Sequence, residues 1–234
     1  MSGFAHNIPA GTTTLSEIAR LRAAISATEF FGFFAYATQS GFRAFELSVG
    51  KKFWLETESR WLFGIDYGRT DPRALREISD RENAEVRIFD GEFVVNQVAF
   101  APRRDFHPKV AMMANAASKA HGVVVGSGNF SSNGLKRSIE AGWATVTTKK
   151  ADFDDHIGPI RSVFEELWKG ACPLDAIAEK YGARWASLID VRDTKRLAKA
   201  EGSPTGFWIE AGYVTKNRGE EKPGNKIFAP NGFR

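Results

Sequence analysis

Trp61-Leu62-Phe63-Gly64-Ile65-Asp66-Tyr67 is a short, almost wholly apolar run closed by Gly68, the pattern of a strand buried on both faces. Asp71 and Pro72 follow, with Leu75 and Ile78 one helical step apart, so the spacing predicts a helix over 71–79 with Asp71 as N-cap and Pro72 in the first turn. Glu85-Val86-Arg87-Ile88-Phe89 then alternates polar and apolar and returns as a strand. Strand, helix and strand within about 30 residues make a βαβ unit. Such a unit implies a parallel pair covered by helices, so the fold class is α/β with a mixed, largely parallel sheet.

Upstream, residues 14–25 repeat apolar residues at helical spacing, with Thr14 and Glu17 placed as a capping box. An aromatic strand over 29–37 follows, then a short helix over 42–49 ended by Gly50. Downstream, the apolar stretches 94–100, 110–113, 123–126 and 143–147 are expected to extend the sheet. Residues 157–168 and 174–181 read as helices. Beyond Lys199 the chain turns Gly-, Pro- and charge-rich, so residues 1–200 are expected to form the folded domain and 201–234 a linker or docked tail. Phe207-Trp208-Ile209 supports docking, or alternatively a last strand of the same domain.

The 234 residues carry 32 Lys and Arg against 28 Asp and Glu, a formal charge of +4, and 19 Phe and 6 Trp, which exclude wholesale disorder. Cys172 is the single cysteine, so neither an internal disulfide nor a Cys-x-x-Cys zinc site is expected, in keeping with a reducing cytoplasm. Residues 1–14 show no basic-then-apolar leader, and the longest apolar run, 30–37, falls well short of the roughly 18 residues that cross a bilayer. A cytoplasmic protein without a membrane partner is expected. The small positive charge permits an acidic partner without arguing for one.

The chemistry lies in two short stretches, Phe106-His107-Pro108-Lys109-Val110 and Val125-Gly126-Ser127-Gly128-Asn129-Phe130. Residues two apart on a strand share a face, so an imidazole and an ammonium project together from His107 and Lys109. After the next apolar strand, Gly126 permits close backbone approach, while Ser127 and Asn129 add a hydroxyl and an amide. A nucleophile or proton carrier, a fixed cation and neutral donors together suit a phosphate. Arg103 and Arg104, just upstream, are placed to grip flanking phosphates. Val123 to Ser131 also looks like a dinucleotide loop, but Ser131 stands where the third Gly belongs and no acid follows at the required distance. The aromatic residues from Phe30 to Phe45 read as core and interface, whereas His121, His156 and Cys172 carry no role.

The order H-x-K then G-S-x-N resembles the phospholipase D superfamily. His107 and Lys109 match the first half, and Gly126, Ser127 and Asn129 the second. Glu140, eleven positions past Asn129, falls where bacterial nucleases of that family carry an acid that hydrogen-bonds the active-site imidazole. Two departures stand out: the family's Asp five residues after the Lys is Ala114 here, with Asn115 beside it, and the longer gap between the halves suggests a loose turn over 116–121.

The resemblance implies a phospholipase D-like α/β/α sandwich. It also implies hydrolysis without metal or cofactor, in which one His forms a phosphohistidine and a second His protonates the leaving oxygen. Of the four histidines only His107 has a Lys two residues later, so the second motif must come from another chain. A homodimer with one site across its two-fold axis is therefore expected. Asp66, Asp71 and Asp105 fall in separate loops and read as structural, Asp66 as a satisfied strand-end residue. DNA is the favoured substrate, with RNA as the variant, and the single-motif arrangement resembles the catalytic domain of metal-independent restriction endonucleases. The alternatives are a non-catalytic nucleic-acid-binding module and a phosphodiesterase acting on a lipid or small nucleotide.

Overall fold

The computed structural model describes residues 2–188. In chain order they form β1 (Ser2–Ala5), α1 (Thr14–Ile25), β2 (Glu29–Phe34), α2 (Gln39–Val49), α3 (Lys51–Glu56), β3 (Glu58–Phe63), α4 (Pro72–Ser79) and β4 (Ala84–Ile88). There follow β5 (Lys109–Asn115), β6 (Ala120–Gly126), β7 (Ala141–Thr147), α5 (Gly158–Gly170), β8 (Cys172–Pro173) and a helix α6 over 178–188. The strands make one sheet in the order β1-β7-β6-β5-β2-β3-β4-β8.

Parallel pairing joins β2, β3 and β4 only. The other neighbours are antiparallel. The sheet is mixed as expected, but its parallel part is narrower than the βαβ reading predicts. The reason lies in the connections: those between β5, β6 and β7 contain no full helix to carry the chain back over the sheet, so each strand reverses direction.

Alternation along the strands sends Phe30, Phe34, Trp61 and Phe63 to the face covered by α1 to α4, and Phe31, Phe33 and Leu62 to the face covered by α5. Trp61 is the hub of the first face. Its ring lies 4.8 Å from Phe30, 5.2 Å from Phe45 and 5.3 Å from Phe130, centroid to centroid, within the favourable range for aromatic pairs. Gly32 makes room for it, because a β-carbon there would stand 2.8 Å from the indole. The six phenylalanines from Phe30 to Phe45 are all buried within the chain, so they are core and leave nothing for the interface also expected of them.

Local chemistry sets several boundaries differently from the periodicity. Helix α1 is capped by Thr13, not Thr14: its hydroxyl accepts from the Ser16 N–H (3.0 Å) while the Ser16 hydroxyl accepts from the Thr13 N–H (2.8 Å). Glu17 instead pairs with Arg20 on the surface. Strand β3 stops at Phe63, and Asp66–Gly68 is a tight turn in which Tyr67 takes a positive φ. Residues 94–100 form no strand. The Asn96 amide bonds back to the Glu92 carbonyl (2.6 Å), Val98 faces solvent, and Ala99 and Phe100 take positive φ, so the stretch folds as short helical turns.

The segment expected as a loose turn over 116–121 is a tight reversal, with β6 resuming at Ala120. The helix expected over 174–181 begins with a separate turn, Leu174–Ala176, before α6. Asp71 caps α4 as predicted, accepting from the Arg73 N–H at 2.9 Å. Among the described residues no helix is long and apolar enough to cross a membrane. The boundary placed at 200/201 and the Phe207-Trp208-Ile209 patch lie outside them.

Removing the hub opens a large cavity, so Trp61→Ala is expected to cost about 3–5 kcal/mol in urea unfolding, against less than about 0.5 kcal/mol for Leu47→Ser on the exposed side of α2.

Candidate active site

Strand direction gathers the chemistry at one end of the sheet. The end of β2 lies opposite the start of β5, with Phe34 paired to Lys109, and the end of β6 lies opposite the start of β7, with Gly126 paired to Gly142. His107, Lys109, the loop from Ser127 to Phe130 and Glu140 therefore share that end.

The Lys109 ammonium donates to the His107 carbonyl at 2.9 Å and lies 3.3 Å from His107 Nδ1. An ammonium has no acceptor, so Nδ1 accepts here, and the neutral ring carries its proton on Nε2. Burial, then the cations of Lys109 and Arg69, hold the imidazole below its ordinary pKa, with Asp105 opposing them. Burial also lowers the Lys109 ammonium, against the pull of Glu140.

The Ser127 hydroxyl donates to the Glu140 carboxylate in a short bond and accepts from the Ala141 N–H at 3.1 Å. Glu140 thus serves Ser127, not the imidazole as the family resemblance implies. Asn129 Oδ1 is buried without a hydrogen-bond partner, an unspent acceptor at the site. Gly126 is half-buried against the Ala141 carbonyl, 3.3 Å from where a β-carbon would stand.

Two contacts hold this loop. Phe130, the residue after Asn129, is fully buried among Phe34, Phe45, Trp61 and Phe63, and its N–H donates to the Tyr36 carbonyl at 3.2 Å. On the other side the loop meets the single helical turn Asn133–Arg137 backbone to backbone: a β-carbon on Gly128 would stand 2.0 Å from the Gly134 carbonyl oxygen. Only glycine fits there.

Ala114 is buried in β5, and its neighbour Asn115 makes the local connections. The Asn115 amide donates to the Ile25 and Ser26 carbonyls at the end of α1 (3.1 and 2.7 Å). Its carbonyl accepts from the Ala117 and Ser118 N–H groups of the β5–β6 turn (3.1 and 3.2 Å). A polar side chain thus ties strand, turn and helix together one residue along from the family position. Arg103 is committed to Asp90 and stacks over Phe93 at 4.3 Å, and Arg104 lies over Phe89 at 5.6 Å.

Two supports have no motif in the sequence. His6 donates from Nδ1 to the Ser138 carbonyl (2.8 Å), and its own N–H donates to the Glu140 carbonyl (2.8 Å), while Nε2 accepts from the Thr14 N–H (2.8 Å). Asp66, expected to be satisfied, is only half so. Oδ2 accepts from the Phe106 N–H at 3.1 Å, one residue before His107, while buried Oδ1 has no partner. Burial raises this carboxyl above the usual carboxylate range, and Asp105 and Asp90 add to the rise. An acid at the end of a parallel strand was the available signal. Among the described residues no three His, Cys, Asp or Glu side chains converge on one point.

No protein-family model matches the chain, and no curated protein matches it by sequence. Solved structures do. NucT from Helicobacter pylori is similar at 16% identity with a TM-score of 0.50, over 74% of this chain and 98% of that one. A phospholipase D family member, Nuc from Salmonella typhimurium, is similar at 15% identity with a TM-score of 0.48, over 74% and 97%. The likeness to NucT is one of fold, a mixed eight-stranded sheet flanked by helices.

Two outcomes test the site as built. The His107 imidazole, followed by NMR, is expected to titrate below its ordinary value near 6.5, and Lys109→Gln to move it part of the way back up, the remainder being due to burial and Arg69. Asp66→Ala leaves the Phe106 N–H buried and unpaired and should cost about 1–3 kcal/mol with faster amide exchange at Phe106, whereas Asp66→Asn keeps an acceptor and loses less. An unchanged Phe106 exchange rate in Asp66→Ala would remove that role.

Proposed function

We propose that the protein is a phosphodiesterase that hydrolyses DNA through a phosphohistidine, without a metal ion, as a homodimer with one active site across its two-fold axis. The observation that carries this reading is the convergence of His107, Lys109, Ser127, Asn129 and Glu140 on one end of the sheet.

In the proposed reaction His107 Nε2 attacks phosphorus, forming an N–P bond while the P–O ester bond breaks. The leaving oxygen takes a proton from the imidazolium of the second copy. Water then attacks the phosphohistidine, giving its proton to that second imidazole, and the N–P bond breaks. Attack needs the ring proton on Nδ1, where Lys109 now sits. A bound phosphate is the stronger partner for the ammonium and draws it off the ring. The lowered imidazole pKa favours the free base on the attacking copy, the second copy gains its proton only when the substrate's negative charge stands beside it, and two copies of Lys109 supply the cationic charge that the phosphorane-like transition state needs.

His107 and Ser127 are exposed, not sunk in a pocket, which favours a polymer over a small ester. Of the polymers, DNA is favoured by the resemblance of the single-motif arrangement to restriction endonucleases, and the reading is an endonuclease of restriction or phage-defence type. Arg104, beside the His107 segment, is placed to meet a neighbouring phosphate, whereas Arg103, also expected to do so, would have to leave Asp90 first. The single cysteine, Cys172, is buried and fits a cytoplasmic setting.

Labelled plasmid, single-stranded DNA and RNA incubated in excess EDTA test the reading, with sedimentation run alongside. The parent is expected to cut DNA as a dimer, and His107→Ala to lose more than about 10³-fold. Activity that needs Mg²⁺ would overturn the mechanism, and silence under both conditions would leave a nucleic-acid-binding module.

A further inference from the structure

Between Ser127 and Glu140 the chain leaves the sheet and returns, and both ends of the excursion are fastened to the site. Gly134 packs against Gly128 backbone to backbone, and Glu140 takes the Ser127 hydroxyl. His6 holds the Ser138 and Glu140 carbonyls from a third direction. With its base fixed at three points, the segment turns Lys136, Arg137 and Ile139 outward, and Ile139 is 98% exposed. Neither Lys136 nor Arg137 has an ion pair or side-chain hydrogen bond among the described residues. The opposite flank differs, since Arg103 is neutralised by Asp90 there.

We infer that residues 136–139 grip the nucleic-acid strand beside the scissile phosphate, Lys136 and Arg137 binding flanking phosphates and Ile139 packing on the neighbouring sugar or base. The inference rests on the hydrolytic reading and extends it to the direction from which the strand is held. A fixed base spares the backbone's ordering cost on binding, though each side chain still gives up its rotamer freedom, and a free cation gains more from a phosphate than one already paired. A solvent-facing aliphatic side chain one residue from Glu140 gains apolar contact only when something covers it, and a nucleotide held by the two cations would do so.

The test uses the full chain. Binding of a fluorescent single-stranded DNA and of the same RNA sequence is measured by anisotropy across salt concentrations. Hydrolysis is measured on the oligonucleotide and on bis(p-nitrophenyl) phosphate, which has no flanking phosphate. Lys136→Ala/Arg137→Ala is expected to lower the slope of log K against log salt by about 1.4, since each single-strand phosphate contact contributes about 0.7. It should also raise KM for the oligonucleotide at least tenfold and leave the small ester unchanged. Lys136→Arg/Arg137→Lys should keep the parent slope, and Ile139→Ser should weaken oligonucleotide binding with the slope intact.

Unchanged slope and KM in the double variant would overturn the inference, as would a shift in sedimentation for Ile139→Ser, which would make the segment a contact between copies. If the parent hydrolyses neither substrate, the hydrolytic reading fails while the anisotropy arm still decides this one. A slope lost for DNA but kept for RNA, or the reverse, would identify which polymer is held.

Discussion

The seat of Phe130 in the aromatic core is the constraint on which the site depends. Asn129 and Phe130 are consecutive, so Asn129 cannot move independently of the ring locked among Phe34, Phe45, Trp61 and Phe63. A phosphate-binding loop has little side-chain bulk with which to order itself. Here the order comes from packing: a ring with no exposed surface fixes the backbone, and the Tyr36 and Thr38 bonds on either side of it fix the register against the segment after β2. The unusual wealth of phenylalanine thus bears directly on the geometry of the chemistry.

Electrostatics at the site follow first from burial and then from like charges. Burial, with Lys109 and Arg69 adding to it, lowers the His107 imidazole, while burial raises the Asp66 carboxyl against the Phe106 N–H, with Asp105 and Asp90 adding to the rise.

The central βαβ unit was legible because Asp71, Pro72 and the apolar runs on either side obey local rules that tertiary packing did not override. His107 and Lys109 do come together, but not by strand alternation: β5 begins at Lys109, so His107 precedes it, and Ser127 and Asn129 lie past the end of β6, where the loop and not a two-residue period places them. Three things were hidden. Strand direction at β5 and β7 depends on connections long enough for crossovers, 89–108 and 127–140, whereas the four residues between β5 and β6 allow only a reversal. The stretch 94–100 has apolar composition without alternation, and the back-bond of Asn96 decides it. His6 and Asp66 reach the site through individual hydrogen bonds to residues 40 or more positions away, which leave no period to read. Asn115 shows the same limit from another side: at the family position the sequence shows a loss, Ala114, while the neighbouring amide ties together strand, turn and helix.

The contact between Gly128 and Gly134 has a consequence for how such a site can change over evolutionary time. Two bare backbones touch with no side chain between them, so neither position can acquire a β-carbon unless the whole excursion from Ser127 to Glu140 shifts with it. Recombination that exchanged only the short motif would import one half of a fitted pair. The heritable unit is the complete span from Gly126 to Glu140, and within it the tip at 136–139 is the part left free to diversify.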